Sequence, residues 1–421
     1  MDDLAASVLR FIADPTSQPV GDNELFARLV VEKPLLRVGR LWVASRHDVV
    51  SALTRHPNCV LRMPDGWSGS QHSDRGVGDF LEGLLPIQPA ANHRRLRRLV
   101  AAGFSAKAIA GLRPVVQSIV DELFAEPLRR GECEFIGEVC GPLPVYTTAA
   151  MLGLPDSDRP RVLEWARAVN SVVLAEVSGR FGGWNGAAPP DAAATTNLTE
   201  VVGYIEELVR QRLATPGEDL ISRLARESSA EDGMLSHAEL VSMILTLFMA
   251  GIDTVGSGLS NVVTALDRNP DAWQRVVADP TLARAAYAEG TRLLPAAPMM
   301  GRIVDADVEL HGIVIPKGST VLLMYGAANL DPAVFADPTR FDLDRTESNH
   351  LSFGHGPHFC LGAGLAMLQG EIVLDTLARR APAFQIFDEP AERRSELAFH
   401  SRVEMRLLLT SKRRPPKGVA V

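Results

Sequence analysis

The residue whose surroundings most favour chemistry is Cys360, which lies in the segment Ser352-Phe-Gly-His-Gly-Pro-His-Phe-Cys-Leu-Gly-Ala-Gly364. The glycines let the backbone approach something flat and bulky, and they leave amide N–H groups able to point at the sulfur. Such donors, with a helix beginning just behind the loop, favour a thiolate over a thiol. Because a structural zinc site takes about four protein ligands, a single thiolate suits haem better. The alternative is a buried structural cysteine.

Two further pairs have spacings that suit chemistry on a helix. Glu289 and Arg292 lie three apart, so they share a helix face and form either a functional ion pair or an exposed pair of little energetic value. Thr254 follows Gly251 on an apolar helix, where its hydroxyl can compete for the carbonyl four residues earlier and open the helix. The alternative for Thr254 is an ordinary core position.

The elements that carry these residues are mostly helical. Ser236 and Glu239 have the spacing of a capping box, which predicts the start of a buried, apolar helix. Two short strands are predicted around Gly39, and the stretch 57–89 reads as an irregular loop. The stretch 179–194 is either part of a lid or a disordered surface excursion. Helical spacing is found at 48–54, 93–102, 113–130, 145–152, 157–178, 198–213, 240–250, 282–294 and 364–380, and strand-like segments at 308–315, 320–325 and near the C-terminus.

Composition narrows the class of protein. Of the 421 residues, 46% are hydrophobic and 22% are charged, which is typical of a globular chain. The net charge of −8 argues against generic nucleic-acid binding. Four cysteines without a CxxC pair fit a reducing cytoplasm. The N-terminus lacks a signal-peptide pattern and the apolar stretch 240–251 is too short to span a bilayer, so a cytoplasmic protein without membrane association is predicted.

The Cys360 segment resembles the haem-thiolate signature of the cytochrome P450 family. The resemblance rests on Phe353, Gly356, His358, Cys360 and Gly362 at the family's spacing. It implies a mainly helical fold with small β-sheets (α+β), with haem between a long central helix and the helix after the cysteine. Cys360 would then be the axial ligand of the iron in haem b (iron protoporphyrin IX), Phe353 would pack beside the sulfur, and His358 would lie near a propionate.

The other pairs resemble family motifs in the expected order. Glu289 and Arg292 resemble the ExxR motif, which implies a structural network with Arg340 of the Pro-x-Arg-Phe segment. The segment from Ala250 to Thr254 resembles the oxygen-activation motif. The resemblance implies catalytic roles for Asp253, which would relay protons, and Thr254, which would hold the hydrogen-bond network, with Gly251 against the haem.

His93 and Arg97 resemble the family's HxxxR segment, and with Arg302 they are implied to bind the haem propionates. The remaining Arg94, Arg95 and Arg98 form either a solvated face or a docking site for an acidic ferredoxin. After the cysteine, Met367 and Gln369 stand where relatives often carry Arg and Glu. Gly256 and Gly258 predict close backbone packing or extra room beside the haem.

The resemblance also implies an apolar substrate pocket, and with it a reaction. The implied pocket residues are Thr246, Met249, Ala250, Ala297, Met299, Met300 and Phe399. The implied reaction inserts one oxygen atom from O2 into an apolar small molecule, which could belong to secondary metabolism. Electrons would come from NAD(P)H through a separate ferredoxin or flavodoxin with its reductase.

A single monomeric domain over 1–421 is expected, with a β-rich part at about 30–60, 303–325 and 384–410. Three alternatives stay open: a peroxide-using enzyme, an oxidative-coupling enzyme, and a haem protein that binds or senses ligands without turnover.

Overall fold

The computed structural model describes residues 3–17, 23–63, 75–178, 192–228, 235–387 and 401–410. Helices dominate, as the sequence predicts. They are α1 (Asp3–Ala13), α2 (Glu24–Glu32), α3 (His47–Arg55), α4 (Arg75–Glu82), α5 (Ala90–Ala101), α6 (Ala106–Gly111), α7 (Arg113–Arg130), α8 (Pro142–Leu152), α9 (Arg159–Ser178), α10 (Ala192–Ala214), α11 (Leu220–Ser228), α12 (His237–Ala250), α13 (Ile252–Arg268), α14 (Pro270–Ala278), α15 (Ala283–Leu293), α16 (Tyr325–Ala328) and α17 (Ala363–Arg380).

Small sheets join distant parts of the chain. The strands are β1 (Leu35–Val38), β2 (Leu41–Ala44), β3 (Cys59–Val60), β4 (Glu132–Glu134), β5 (Met300–Val304), β6 (Val308–Leu310), β7 (Ile313–Ile315), β8 (Thr320–Leu323), β9 (Gln385–Ile386) and β10 (Arg406–Leu408). One sheet has the order β1-β2-β8-β5-β3, in which β2 and β8 are parallel and β5 is antiparallel to β8. A second sheet has the order β4-β10-β9, and β6 pairs with β7. The mainly α fold with small sheets is confirmed.

The central helix is the element on which the site depends. Its N-terminus carries the predicted capping box, since the amide of Glu239 donates to Ser236 Oγ at 3.1 Å and the amide of Ser236 donates to Glu239 Oε2 at 2.9 Å. α12 and α13 follow one another across Gly251 within the stretch His237–Arg268. This 32-residue stretch is long and apolar enough to cross a membrane, yet 72% of its most apolar window is buried. Such burial is typical of a core helix, and cytoplasmic localisation stays a prediction.

Two apolar clusters meet along this central helix. α12 and the first residue of α13, Ile252, pack in a cluster with side chains from α4, α9, α10 and α11. From Val255 onward, α13 packs instead with side chains from α7, α15 and α17. The change of cluster occurs within one turn of Gly251, where the helical regularity is interrupted.

Two predictions about elements were wrong, and one strand was not predicted. The stretch 57–89 contains α4, because Val77, Phe80 and Leu81 bury one apolar face although the surrounding glycines are typical of a loop. The segment 308–315 is a hairpin and not one strand, since His311 and Gly312 both take left-handed φ angles and reverse the chain. β4 was not predicted, because three residues are too few to show the alternation of apolar and polar side chains that indicates a strand. Whether the chain is one domain stays a prediction.

Candidate functional site

The loop that carries Cys360 is shaped by two glycines. Gly354 and Gly356 have φ angles of 72° and 67°, which favour glycine over residues with a side chain. A Cβ at Gly356 would also lie 2.8 Å from Cγ of Arg55. The amide of Cys360 donates to the carbonyl of Phe353 at 2.8 Å, which closes the loop, and the Phe353 ring packs against the larger apolar cluster.

The Cys360 side chain is accessible, although protein surrounds the sulfur on most sides. Burial raises the pKa of the thiol, while the amide of Gly362 and the charge of Arg97 act to lower it. The donors of the loop therefore offset only part of the cost of burying a thiolate. A bound cation at the sulfur would supply the missing stabilisation, which is the situation of a metal ligand.

Three of the predicted propionate-binding residues lie together beside Cys360. The rings of His93 on α5 and His358 in the loop are 4.3 Å apart between centroids. Arg97, one turn along α5, donates from Nη2 to the carbonyl of Phe359. Burial and the neighbouring cations lower the pKa of His358 to about 4, and burial followed by Arg97 and Arg94 lowers that of His93.

The fourth base, Arg302, reaches the same group from β5. The charge of Arg302 lowers the pKa of His358, and the residue is only 2% exposed. Its Nη1 donates to the carbonyl of Gly301 at 2.9 Å, but its buried Nε has no partner among the described residues. A buried cation without a hydrogen-bonded anion is costly, so this position is suited to an anionic ligand.

The four bases fit the acidic groups of a haem. None of the ion pairs found in the described ranges joins His93, Arg97, His358 or Arg302 to a carboxylate. Haem carries two propionates at one edge, which suit the guanidinium groups of Arg97 and Arg302 as cations and the uncharged rings of His93 and His358 as hydrogen-bond donors. The described residues contain no group of three or more His, Cys, Asp or Glu side chains that could hold a metal by themselves. A single sulfur beside four bases that no described carboxylate neutralises therefore fits haem and not a protein-only metal cage.

On the central helix, Thr254 behaves as its position predicts. Its hydroxyl donates to the carbonyl of Ala250 at 2.9 Å, and the next helical hydrogen bond, from the amide of Val255 to the carbonyl of Gly251, is long at 3.4 Å. These bonds bracket the interruption between α12 and α13. Asp253 is half-buried and has contacts of its own. The side chains of Asp253 and Thr254 thus stand at an opened turn of the helix.

The buried network on α15 contains a residue that the sequence did not indicate. Arg292 donates to both oxygens of Glu289 at 2.8 and 2.7 Å, and Arg345 Nε lies 3.0 Å from Glu289 Oε1. The Arg345 side chain is 4% exposed, whereas that of Arg340 is 65% exposed. Arg340 contributes only its carbonyl, to Arg292 and Arg345. The predicted role of the Arg340 side chain was wrong, because it extends into solvent towards Asp342.

The same network reaches the cysteine loop through Asn329. Arg292 Nη1 donates to the carbonyl of Asn329 at 2.8 Å, and the fully buried Asn329 side chain accepts from the amide of Leu351 at 2.6 Å. Asn329 Nδ2 also donates to Ser352 Oγ at 2.8 Å, and Ser352 Oγ in turn donates to the carbonyl of Thr291 at 2.8 Å. The start of the loop is therefore hydrogen-bonded to the helix that carries Glu289. Nothing local in the sequence indicates Asn329.

The predicted pocket residues separate into accessible and buried groups. Ala250 and Met300 are exposed, Met299 is buried in the larger apolar cluster, and Thr246 is buried with a hydroxyl that lacks a partner among the described residues. Met299 thus packs as core, because its side chain is enclosed by the larger apolar cluster just before β5 begins. The half-buried members are Met249 and Ala297, and Phe399 lies outside the described residues.

The glycines after Thr254 are explained by close packing. A Cβ at Gly256 would lie 2.9 Å from the carbonyl oxygen of Cys140, which belongs to a short π-helical turn, Ile136–Cys140. A Cβ at Gly258 would lie 3.1 Å from the hydroxyl of Tyr287, a buried residue of α15 that the sequence did not single out. Burial raises the Tyr287 pKa, as do Cys140 and Cys360. A Cβ at Gly370 on α17 would also meet the Tyr287 ring, so this ring lies between the central helix and α17.

The basic face of α5 is smaller than the sequence suggested. Arg95 donates to Glu239 of the capping box and to Asn92 Oδ1 at 2.6 Å, so it links α5 to α12. Arg94 and Arg98 are exposed. A docking role therefore remains a prediction for these two arginines, while Arg95 is engaged within the fold.

Comparisons with known proteins agree on one family. A family model described as Cytochrome P450 matches residues 196–281 and 277–381. The chain is 32% identical over 399 residues to the cytochrome P450 monooxygenase PikC of Streptomyces venezuelae, covering 93% of this chain and 89% of that one. It is 30% identical to the mycinamicin IV hydroxylase/epoxidase of Micromonospora griseorubida, covering 89% and 93%. The crystal structure of CalO2 is similar with a TM-score of 0.82 at 27% identity, covering 97% of this chain and 98% of that one.

Proposed function

Because the chain belongs to the cytochrome P450 family and is therefore a haem-containing, oxygen-incorporating oxidoreductase, we propose that Cys360 ligates the haem iron and that the enzyme inserts one oxygen atom from O2 into an apolar small molecule. The observation that carries this proposal is the group of four bases beside an accessible cysteine sulfur. His93, Arg97 and Arg302 would hold the propionates. These residues come from two elements, α5 and β5, that are distant in the chain, so the fold as a whole would orient the cofactor.

A haem bound through a thiolate would supply the electron density that favours cleavage of the O–O bond. The chain's own residues then have two tasks: they exclude water and they deliver protons. The hydroxyl of Thr254, which donates a hydrogen bond to the carbonyl of Ala250, would hold a proton at the opened turn of the central helix. The half-buried Asp253 beside it would move protons from solvent to that hydroxyl.

The network of Glu289, Arg292 and Arg345 would act on the haem loop and not on substrate. It is buried and reaches the loop through Asn329 and Ser352, so we assign it to the position of the Cys360 backbone. Phe353 would shield the sulfur on the core side.

For the substrate, the accessible candidates Ala250, Ala297 and Met300 are apolar. Because relatives include a hydroxylase/epoxidase of mycinamicin IV, we propose oxidation of a secondary metabolite, either hydroxylation or epoxidation. Electrons would come from NAD(P)H through a ferredoxin or flavodoxin with its reductase. The ferredoxin or flavodoxin would dock on the exposed face of α5 that carries Arg94 and Arg98.

The absorption spectrum of the purified protein, reduced with dithionite under carbon monoxide, tests the proposal. We expect a Soret band strongly shifted to the red, as thiolate-ligated haem gives. Cys360→Ser should lose that band while keeping the fold, and Cys133→Ser is the matched control, since Cys133 is buried on β4 and the charges that act on it are Glu138, Glu134 and Arg130. A band typical of histidine-ligated haem in fresh wild-type protein would contradict ligation by Cys360.

A further inference from the structure

Arg95 leaves α5 on the side away from the two bases of that helix that lie beside Cys360. His93 and Arg97 are one turn apart, and Arg95 is two residues from each of them. Because successive residues of an α-helix are rotated by about 100°, the Arg95 side chain lies roughly 160–200° around the helix from those of His93 and Arg97. Arg95 therefore bears on how α5 is held and not on the group of bases itself.

From this side Arg95 bridges α5 to the central helix. Its Nη2 donates to Glu239 Oε1, and to Asn92 Oδ1 at 2.6 Å. The side chains of Arg95 and Glu239 are 34% and 27% exposed. The other oxygen of Glu239, Oε2, accepts from the amide of Ser236 at 2.9 Å within the capping box. One carboxylate thus holds both the N-terminus of α12 and the back of α5.

The hydrogen bonds continue from Asn92 to the C-terminus of α4. Asn92 Nδ2 donates to Gln88 Oε1 at 2.8 Å, and Gln88 Nε2 donates to the carbonyl of Glu82 at 2.6 Å. Glu82 is the last residue of α4, and the last carbonyls of a helix have no partner within it. Gln88 therefore satisfies a carbonyl at the end of α4 and joins that helix to α5.

α4 in turn contacts the central helix directly. Ser242 Oγ donates to the carbonyl of Asp79 at 3.3 Å, and a Cβ at Gly83 would collide with the Ser242 side chain, which belongs to a residue that is 2% exposed. Ser242 follows Glu239 by three residues, so the two side chains share one face of α12. The apolar face of α4 also packs in the same cluster as α12. These contacts join α12, α4 and α5 in a closed ring.

We propose that Arg95 is a positioning residue for the haem, because its bridge to Glu239 holds α5 against the central helix. Through α5, the bridge keeps His93 and Arg97 in place for the propionates. This rests on the proposed function, in which these two bases bind the propionates. Without the bridge α5 would stay folded, since its apolar side chains remain in the cluster shared with α12, but the helix would be free to shift. The haem would then be held less firmly at its propionate edge, while Cys360 stays in place.

The test compares Arg95→Met, Glu239→Gln and the double variant with Arg130→Met, a matched control. Glutamine at position 239 removes the negative charge beside Arg95 but still suits the capping box, so this variant covers the case in which Arg95→Met fails to fold. Arg130 forms an ion pair of similar exposure with Glu138, at 2.8 Å and with side chains 38% and 35% exposed.

Three quantities are measured on the holoenzyme. The rate of haem transfer to apomyoglobin reports how firmly the cofactor is held. The circular dichroism of the Soret band reports the placement of the groups around the haem, which a general loss of stability does not change. Amide hydrogen exchange at residues 75–88 and 236–242 reports local opening of the two segments that the ring joins to α5.

We expect Arg95→Met to speed haem transfer about fivefold, to change the Soret dichroism and to speed exchange in both segments, since a partly exposed charged hydrogen bond is lost. Glu239→Gln should act in the same direction. The double variant should add little to Arg95→Met, because both changes break one interaction. Arg130→Met should change none of the three quantities.

Unchanged haem transfer and Soret dichroism in both Arg95→Met and Glu239→Gln would overturn the positioning role, and so would an equal effect of Arg130→Met. Unchanged exchange at 236–242 would overturn the anchoring of α5 to the central helix. If the wild-type protein takes up no haem, the proposed function fails instead, and exchange on the protein as purified still decides whether Arg95 joins the two helices.

Discussion

At the scale of single residues, the site shows which features local sequence can reveal. Cys360, His358 and Arg292 were found because their spacing is short and repeats a known pattern. Arg345 was missed, because its burial arises from the path of an irregular segment that brings it back to Glu289, 56 residues away. Arg340 was chosen wrongly for the same reason: a motif fixes residue order, but it does not fix which arginine turns inward.

A first prediction separates these two arginines. Arg345→Met should lower the free energy of unfolding by about 3 kcal/mol, because it removes one cation from a buried carboxylate. Arg340→Met should change it by less than about 0.5 kcal/mol, since the side chain is exposed. Guanidinium unfolding followed by haem absorbance measures both. Equal losses would contradict the assignment of the inner position to Arg345.

A second prediction concerns Arg302, whose buried Nε has no described partner. Arg302→Met should leave the apoprotein no less stable, because an unpaired buried cation is removed. In the holoprotein the same change should speed haem loss to apomyoglobin about tenfold, since a charge-assisted hydrogen bond to a propionate is lost. Arg275→Met, which breaks the exposed pair with Asp344, is the control and should affect neither measurement. A destabilised apoprotein would show that Arg302 has a structural partner within the protein.

At the scale of elements, regular periodicity was predicted well. α7 was predicted with its observed bounds, and α17 to within one residue of its start, because their apolar faces repeat over many turns. α4 was missed because its apolar face has only three residues, Val77, Phe80 and Leu81, and Gly76 and Gly78 beside them are typical of a loop. The two glycines after Thr254 indicated close packing but not the partner, since the π-helical turn lies more than 100 residues earlier in the chain.

The glycine at this contact gives the third prediction. Gly256→Ala should destabilise the protein by about 1–3 kcal/mol, because the new methyl would meet the Cys140 carbonyl in a packed interior. Gly203, mid-helix on α10, has nothing within 4 Å of its Cβ position, so Gly203→Ala should stabilise by up to about 1 kcal/mol. Thermal midpoints of the two variants should therefore move in opposite directions. A shift in the same direction would refute the packing explanation.

At the scale of the whole molecule, charge is distributed unevenly. The chain carries a net charge of −8, yet His93, Arg97, His358 and Arg302 meet around one loop. Composition could not reveal this, because the four bases come from three regions that only the fold brings together. The stability of the molecule at low pH depends on a further base, the half-buried His350, whose charged neighbours are Arg292 and Glu289.

The fourth prediction is a pH dependence of stability. Burial, together with the charge of Arg292, lowers the pKa of His350 to about 4 from 6.5. Between these values the unfolded chain binds a proton that the folded chain does not, so stability falls as pH drops from about 6.5 to 4, by up to about 3 kcal/mol. His350→Asn, which retains an acceptor for the amide of Ser352, should make this dependence shallower and leave the part that comes from His358 and His93. Denaturation midpoints across this pH range measure it, and an unchanged slope would contradict the assignment.

The meeting of two apolar clusters along the central helix has a consequence for how the protein opens. Amides of α12 are protected by the cluster shared with α9 and α10, whereas amides of α13 beyond Val255 are protected by the cluster shared with α15 and α17. Local unfolding follows such packing units and not the helix as an uninterrupted rod. The two halves should therefore exchange their protons with solvent through separate openings. The half that packs with α9 and α10 can then loosen while the half that packs with α15 and α17 stays closed.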